Sequence, residues 1–293
     1  MLVSIKTILQ DARVNNYAVP AFDVGDYRCA KAIIEVAQEL KAPVILMGLT
    51  SDNTEESFSH LSKDLHALAL NASVPVCIHL DHATEFADIK KAINQGYSSV
   101  MIDASSKPLD ENIQITKSIC DYAHMFGVSV EAELGHVGDG IVGSQKAVSE
   151  QNTEGHDSVL TNKDEMIKFI NETGVDCLAV SFGTSHGVYK CTPHLELDLL
   201  DELNKASAVP LVVHGGSGTP DDQMKEAIKK GITKVNIFSD IQKAFFTGMR
   251  DFLNSRDNLS LWNMAAYKNA IEEMKKEVKA KFELCGTVGR YKQ

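Results

Sequence analysis

The sequence predicts an α/β protein folded as a (β/α)8, or TIM, barrel with additional helices at its termini. Short apolar runs alternate with longer helical patterns along all 293 residues, which makes eight strand-then-helix units. No linker rich in Pro, Gly or Ser interrupts this alternation, so residues 1–293 are expected to form a single barrel domain. A doubly wound open sheet is the alternative architecture.

The predicted strands are short apolar runs that end on polar residues. They are Ala18–Phe22, Val44–Met47, Val76–Leu80, Ser99–Ile102, Ser129–Glu133, Cys177–Val180, Leu211–Val213 and Lys234–Ile237. The intervening segments have helical spacing; in RCAKAIIEVAQELK, for example, Ala30, Ile33 and Ala37 share one helix face. The helical stretch ENIQITKSICDYAHMFG stops at Gly127, a residue type that commonly ends helices.

Composition excludes several classes of partner. The chain has 40 acidic and 29 basic residues and a formal net charge of −11, so neither nucleic acid nor an anionic membrane is expected as the main partner. A phosphorylated small molecule remains compatible, because backbone N–H groups at helix N-termini bind phosphate without adding formal charge. No apolar run reaches the ~18 residues of a membrane span, and the N-terminal stretch lacks the features of a secretory signal. We therefore expect a cytoplasmic protein whose six scattered cysteines are reduced.

Ionisable residues follow the predicted strands at the end where barrel enzymes carry their active sites. Three of them are histidines, His82, His186 and His214, and each follows a different strand. Three imidazoles with an open fourth position are typical of a catalytic zinc site. The other polar residues at these strand ends are Asp23, Asp81, Asp103, Glu133 and Asn236.

Each of these residues also has an ordinary structural explanation. A single histidine at a strand end is more often a hydrogen-bonded structural residue than a metal ligand. Asp103 can cap the next helix, and Glu133 can pair with a buried lysine. Asp81 can orient His82. Three histidines at corresponding positions favour a metal, however, and a carboxylate beside a metal can act as general acid or base. Asp81 is best placed for that role, because it adjoins a predicted ligand on a rigid strand.

Glycine-rich turns follow the sixth and seventh predicted strands. GTSHG ends at Gly187, and HGGSG contains Gly215 and Gly216. A tight strand-to-helix turn needs glycine in any case, so each turn alone is weak evidence. Their grouping with NIFS, residues 236–239, predicts a phosphate cradle beside the last barrel strands.

Seven motifs, in order along the chain, resemble those of the class II, zinc-dependent ketose-bisphosphate aldolases. They are YAVPAF, IHLDHA, SVMIDAS, VSVEAELGHVG, FGTSHGVY, LVVHGGSG and KVNI. The resemblance extends from about residue 4 to residue 285 and is nearest to the tagatose-bisphosphate aldolase branch. It implies a barrel enzyme that assembles as a homodimer or homotetramer. It also implies Zn²⁺-dependent, reversible cleavage of a phosphorylated ketose to dihydroxyacetone phosphate and an aldehyde.

The resemblance assigns roles to individual residues. It implies that His82, His186 and His214 bind zinc and that Asp81 is the catalytic proton donor. Carboxylates matching Asp103 and Glu133 flank the metal and hold a second cation in some members. The residues that match the dihydroxyacetone-phosphate site, where a monovalent cation can assist, are Gly187, Gly215, Gly216, Ser217, Asn236, Ile237, Phe238 and Ser239.

The departures from the family pattern lie away from the metal. Asp23 stands where the family usually has Asn, and Leu261 stands near an Arg that reaches the distal phosphate of the substrate. Asp139 lies in the long irregular stretch 135–162, a loop of a length that is usually either a lid or disordered, and it is the nearest replacement for the family's mobile base. Lys190 is interpreted as a phosphate contact or a surface residue, and together with Asp23 it is a candidate specificity residue. These departures predict an aldehyde other than glyceraldehyde 3-phosphate, for example from a ketose 1-phosphate.

Two other functions stay open. A barrel metal-dependent hydrolase would use the same histidines to activate water, but it would need no phosphate cradle. A non-catalytic, aldolase-like partner subunit would be indicated by loss of a zinc ligand or of Asp81. The sequence retains all of these residues.

Overall fold

The computed structural model shows eight parallel strands, in sequence order, closed into a barrel, and so confirms the predicted fold class. It describes residues 1–49, 55–138, 159–187 and 193–292. The strands are β1 (Val19–Asp23), β2 (Val44–Leu49), β3 (Val76–Ala83), β4 (Ser99–Ile102), β5 (Ser129–Leu134), β6 (Cys177–Val180), β7 (Leu211–Val213) and β8 (Ile232–Ile237). Pairing between β8 and β1, with Asn236 opposite Ala21, closes the barrel.

Helices alternate with the strands, as the sequence pattern predicts. Among the described residues they are α1 (Ile5–Val14), α2 (Tyr27–Glu39), α3 (Glu55–Asn71), α4 (Phe86–Asn94), α5 (Leu109–His124), α6 (Lys163–Thr173), α7 (Leu197–Ala206), α8 (Asp221–Lys229), α9 (Ser239–Asn254) and α10 (Asn263–Leu284). Helix α1 precedes the first strand and α10 follows α9, so both termini carry the additional helices that were expected.

Strand β3 differs most from its predicted limits. It was expected to end at Leu80, but it continues to Ala83, so Asp81 and His82 belong to the strand. Pairing with β4 shifts register after Leu80 and resumes where Ala83 lies opposite Ile102. Apolar alternation could not reveal this extension, because the residues that continue the strand are polar.

The interior of the barrel is apolar at one end. Alternate residues of each strand point inward, and Ala21, Met47, Cys77 and Val212 belong to one buried cluster. Helix α1 adds its own buried side chains to this cluster, among them Leu9. The first helix therefore closes the end of the barrel opposite the carboxyl ends of the strands.

The next inward-facing layer is charged. Two residues beyond Cys77 on β3 comes His79, and Asp81 follows two residues later, as period-two alternation requires. Two strands further round the barrel, Glu131 and Glu133 of β5 are buried in the same way. This change from apolar to charged layers along the barrel axis places the ionisable groups at the carboxyl ends of the strands.

Helix α10 covers the outside of the barrel near β1. Phe282 packs on Phe22, with 5.8 Å between their ring centroids. Just beyond the helix, Thr287 Oγ1 donates to the carbonyl of Ala18 at 2.6 Å, which ties the C-terminal segment to the start of β1. Although α10 has 22 residues, no helix in the described ranges is both long and apolar enough to span a membrane.

We expect Phe282→Ala to destabilise the barrel by about 3–5 kcal/mol, because the side chain is fully buried and its removal leaves a cavity against Phe22. Urea denaturation of the metal-free protein measures this difference. The matched control is Phe246→Ala on α9, where the ring is 61% exposed. Its effect should stay within about 0.5 kcal/mol. Equal midpoints for the two variants would contradict the packing role of α10.

Candidate active site

A local distortion of β3 brings Asp81 and His82 to the same site. Neighbouring residues of a regular strand point to opposite faces, yet both of these side chains line one cavity at the barrel mouth. The reason is that His82 has φ of 46°, in the left-handed region, at the register shift between β3 and β4. A non-glycine residue in such a conformation costs about 1–3 kcal/mol, and such strain is concentrated at functional sites.

The three predicted histidine ligands converge although they are far apart in the sequence. His214 follows β7 directly, and His186 lies in the loop after β6. The ring centroid of His82 is 4.9 Å from that of His186 and 4.7 Å from that of His214. One ring nitrogen from each histidine lies within 4.8 Å of the others, close enough to share a metal ion.

The donor set fits Zn²⁺. Nδ1 of His82 lies 3.0 Å from Asp103 Oδ2, which leaves Nε2 as the ligand atom of that ring. Nε2 of His214 lies 2.9 Å from Glu131 Oε1, which leaves Nδ1. Nδ1 is buried and makes no hydrogen bond, although Glu133 Oε2 is 3.3 Å away. A buried imidazole nitrogen without a hydrogen bond is costly, and a metal bond would satisfy it.

The contacts of the carboxylates around the histidines differ from those that the ordinary structural explanations predict. Asp103 does not cap α5, whose N-cap is Pro108; it orients His82 and accepts from the backbone N–H of Ser105. Asp81 therefore is not needed to orient His82. The buried lysine of the barrel, Lys234, pairs with Glu131 and not with Glu133.

Oxygens of Asp103 and Glu133 also lie within 4.8 Å of a His82 nitrogen, so these three residues form a second group that can hold a cation. Glu133 Oε1 is already an acceptor for the backbone N–H of Val137 at 3.0 Å. This group shares His82 with the three-histidine group, and the two candidate cation positions are therefore adjacent.

Asp81 is a buried carboxylate with an oriented oxygen. Its Oδ1 accepts from Asn236 Nδ2 at 3.3 Å, and its Oδ2 lies 3.8 Å from His82 Nε2. Burial raises the pKa of Asp81, but the positive charges of His82, Lys234 and His214 outweigh burial, and the net pKa lies below the ordinary value. The carboxylate is therefore ionised at neutral pH and can accept a proton.

A cavity of about 350 Å³ opens above these groups. The residues that line it are Asp23, Leu49, Asp81, His82, Thr84, Asp103, His186, Gly187, Gly215, Ser217, Asn236, Phe238 and Ser239. Two predicted phosphate-site residues do not line it. Gly216 donates its N–H to the carbonyl of Asn236, and the side chain of Ile237 faces the outer hydrophobic core. Lys190 and Asp139 lie outside the described residues.

The turn after β7 is shaped for close backbone approach. Gly215 has φ of 68°, and a Cβ at this position would lie 2.2 Å from the carbonyl oxygen of Ser185. Ser217 Oγ accepts from the N–H groups of Phe238 and Asp240, which joins this turn to the beginning of α9. The cavity is thus bounded by a glycine turn and a helix N-terminus, a combination that favours anions.

Sequence reasoning missed a buried ionic group directly beneath the site. It consists of His79, Glu131 and Lys234, all of them fully buried. Each lies two residues before a predicted site residue, namely Asp81, Glu133 or Asn236. Period-two alternation was the signal that could have found them, since it places residues i and i+2 on the same inward face.

Asp23 lies at the end of β1 and faces the cavity. It is buried, and its Oδ1 makes no hydrogen bond. Burial and the nearby charge of Asp81 raise its pKa well above the ordinary value, only partly offset by His82 and Lys234. Asp23 therefore resists ionisation, and when it is protonated it can donate a hydrogen bond to a ligand.

Comparison with known proteins adds independent evidence. A sequence model of the family described as "Fructose-bisphosphate aldolase class-II" matches residues 3–290. The YdjI aldolase from Escherichia coli K12 is 32% identical, with a TM-score of 0.86, and the match covers 100% of both chains. The fructose-bisphosphate aldolase Fba from Campylobacter jejuni is 24% identical with a TM-score of 0.81, over 99% of this chain and 97% of its own. That last similarity supports the fold alone.

We expect the free energy of unfolding of metal-free Asp23→Asn, relative to the parent, to increase as the pH rises from acidic towards neutral. The pKa of Asp23 is raised above 3.8 in the folded protein, so between 3.8 and the folded pKa the folded state binds more protons than the unfolded state. The stability of the parent therefore falls with rising pH in this window, whereas the amide does not titrate. Urea denaturation across that pH range measures the difference. Asp257→Asn makes the same change at an exposed position, and a pH-independent difference for Asp23→Asn would contradict the prediction.

Proposed function

Because the chain belongs to the class II fructose-bisphosphate aldolase family, we propose that it catalyses zinc-dependent, reversible aldol cleavage of a phosphorylated ketose. The products are dihydroxyacetone phosphate and an aldehyde. The observation that carries this proposal is the convergence of His82, His186 and His214 beside the buried Asp81 in one cavity. We further propose a homodimer or homotetramer in the cytoplasm, and the tagatose branch stays a prediction.

His82, His186 and His214 would hold Zn²⁺. When bound, the ion supplies a Lewis acid that polarises the ketose carbonyl and offsets the negative charge left by carbon–carbon cleavage. Asp103 serves the site by orienting His82 through Nδ1. Where a second cation binds, Asp103 and Glu133 are its carboxylate ligands, and a monovalent cation beside the phosphate stays a prediction.

Asp81 moves the proton in the proposed reaction. During cleavage it accepts the proton of the hydroxyl group next to the bond that breaks, and during condensation it returns that proton to the aldehyde oxygen. Its lowered pKa keeps it in the acceptor form, and Asn236 Nδ2 holds one of its oxygens in place. The other oxygen lies 3.8 Å from Nε2 of His82, the nitrogen left to bind zinc, so the carboxylate would lie beside a sugar held by the ion.

The phosphate of dihydroxyacetone phosphate is proposed to bind between the turn at Gly215 and the N-terminus of α9. Ser239 opens that helix and lines the cavity, as do Gly187 and Ser217. Backbone N–H groups and the helix dipole favour an anion here without a formal positive charge. This explains how an acidic protein can bind a phosphorylated sugar.

The composition of the cavity lining supports a changed aldehyde. No lysine or arginine is among the described residues that line the cavity. Leu261 lies on the segment between α9 and α10, Arg250 pairs with Asp251, and Arg256 stacks on Phe252. Asp23 adds an acidic group to the cavity. We therefore propose a ketose 1-phosphate, or another sugar without a phosphate on its tail, as the preferred substrate, with Asp23 as a specificity residue and Lys190 as a second candidate.

A screen of phosphorylated ketoses, with and without EDTA, tests both the reaction and the substrate class. We expect release of dihydroxyacetone phosphate that EDTA abolishes and Zn²⁺ restores. We also expect kcat/KM to be at least about tenfold higher for a ketose 1-phosphate than for fructose or tagatose 1,6-bisphosphate, because a tail phosphate would meet no cationic side chain among the described residues of the cavity lining.

The same screen separates the alternatives. Chelator-sensitive hydrolysis without carbon–carbon cleavage would support a metal-dependent hydrolase. Absence of both bound metal and turnover would support a non-catalytic partner subunit. Efficient cleavage of both bisphosphates would overturn the proposed substrate class while leaving the aldolase reaction in place.

We expect Asp81→Asn to retain Zn²⁺ and to lower kcat by about 10²–10⁴-fold, because the amide has the shape of the carboxylate but cannot accept the proton. Metal content and steady-state kinetics measure the two effects separately. Asp257→Asn, at an exposed residue that does not line the cavity, is the control for the chemical change itself. Turnover of Asp81→Asn at the parent rate would show that Asp81 is not the proton acceptor.

A further inference from the structure

The barrel interior contains a fully buried lysine–glutamate ion pair that crosses from one wall to the other. Lys234 Nζ on β8 lies 2.8 Å from Glu131 Oε2 and 3.0 Å from Glu131 Oε1 on β5. Both side chains have no exposed surface. These strands are not neighbours in the barrel, so the pair spans its interior. Burying two charges is unfavourable unless their geometry and further hydrogen bonds compensate, so the pair calls for a functional explanation.

Glu131 also binds His214. Its Oε1 lies 2.9 Å from His214 Nε2, and a carboxylate facing a lysine ammonium can only accept hydrogen bonds. Nε2 of His214 must therefore be the donor in this contact. The proton on Nε2 leaves the lone pair on Nδ1, the buried nitrogen that makes no hydrogen bond. The geometry thus determines which ring nitrogen can bind a metal.

We propose that Lys234 and Glu131 form a positioning pair that aims Nδ1 of His214 at the zinc site. Lys234 holds both oxygens of Glu131, and Glu131 holds the ring through Nε2. Neither residue contacts the cavity, so both act through His214 and not on the substrate. This inference rests on the proposed function, since it explains how one of the three ligands is prepared for the metal.

The other oriented histidine is held differently. His82 is fixed by Asp103, which lines the cavity and whose side chain is 20% exposed. Water in the cavity can solvate the negative charge of that carboxylate. Glu131 lies beneath the site, where it has no access to water, and a lysine is the group that supplies the balancing charge and two donors. Because His214 is fully buried, its partner Glu131 must be buried too, and this accounts for the buried cation Lys234.

Replacing Glu131 by its amide is the sharpest test. In Glu131→Gln, Lys234 can still only donate hydrogen bonds. The amide must therefore either turn its oxygen towards Lys234 or leave its NH₂ group facing the lysine ammonium, where donor meets donor. In the first arrangement the NH₂ group meets His214 Nε2, and the ring proton is driven to Nδ1, where it blocks the metal. We expect Zn²⁺ affinity, measured by competition with a chromophoric chelator, to fall about 10–100-fold. The absorption spectrum of the Co²⁺-loaded protein should change as well.

Two further variants separate positioning from general stability. Glu131→Asp keeps the charge for Lys234 but withdraws the carboxylate from His214, and it should also weaken Zn²⁺ binding while the protein folds. Val212→Ala creates a cavity in the same barrel interior, on the strand that immediately precedes His214. It should lower the denaturation midpoint of the metal-free protein and leave Zn²⁺ affinity unchanged.

The role of Lys234 is tested by adding Lys234→Met to Glu131→Gln. Without the lysine, the amide oxygen is free to accept from His214 Nε2, so the double variant should bind Zn²⁺ more tightly than Glu131→Gln alone. Affinity in the double variant equal to or below that of the single variant would overturn the role of Lys234.

The outcomes for this inference and for the proposed function are distinct. A parent protein that binds Zn²⁺ tightly, with Glu131→Gln and Glu131→Asp unchanged, overturns the positioning role alone. If these variants lose no more Zn²⁺ affinity than Val212→Ala does, the positioning role is overturned as well. A parent protein that binds no Zn²⁺ overturns the proposed function, and the positioning role with it.

Discussion

The narrow interior of an eight-stranded barrel is the constraint on which the rest of the structure depends. Its side chains must fill the space between the strands, and alternate residues of every strand point into it. At one end the space is filled by apolar residues and by helix α1, including Leu9. At the other end it holds Glu131 and Lys234, whose charges balance within the interior. The charged layer can be accommodated because the apolar layer below it already fills the other end of the barrel and excludes water there.

A second requirement is that neighbouring residues serve one site. Asp81 and His82 are adjacent in sequence, and a regular strand would send only one of them into the cavity. The left-handed backbone of His82 and the register shift of β3 resolve this conflict. The local strain is borne by a strand that is paired on both sides, so the rigid barrel holds the proposed proton acceptor and a candidate metal ligand at fixed separation.

The distribution of charge is compatible with the anionic substrate proposed for this acidic protein. The net charge of −11 is carried mainly by the surface. At the cavity, the turn at Gly215 and the N-terminus of α9 are the proposed anion site, and the carboxylates Asp23 and Asp81, on β1 and β3, line the same cavity. Acidic side chains and the lack of a lysine or arginine among the described residues of the lining are what separate the proposed substrate from a bisphosphate.

The sequence by itself determined the barrel, its eight strands and the convergence of His82, His186 and His214, because apolar alternation and the position of polar residues at strand ends are local properties. The tertiary structure alone decided the rest. It extended β3 through His82, since that strand end depends on pairing with β4. It also joined Glu131 to Lys234 across 103 positions of sequence. No local pattern encodes that contact, because two residues that lie on opposite walls meet only when the barrel closes.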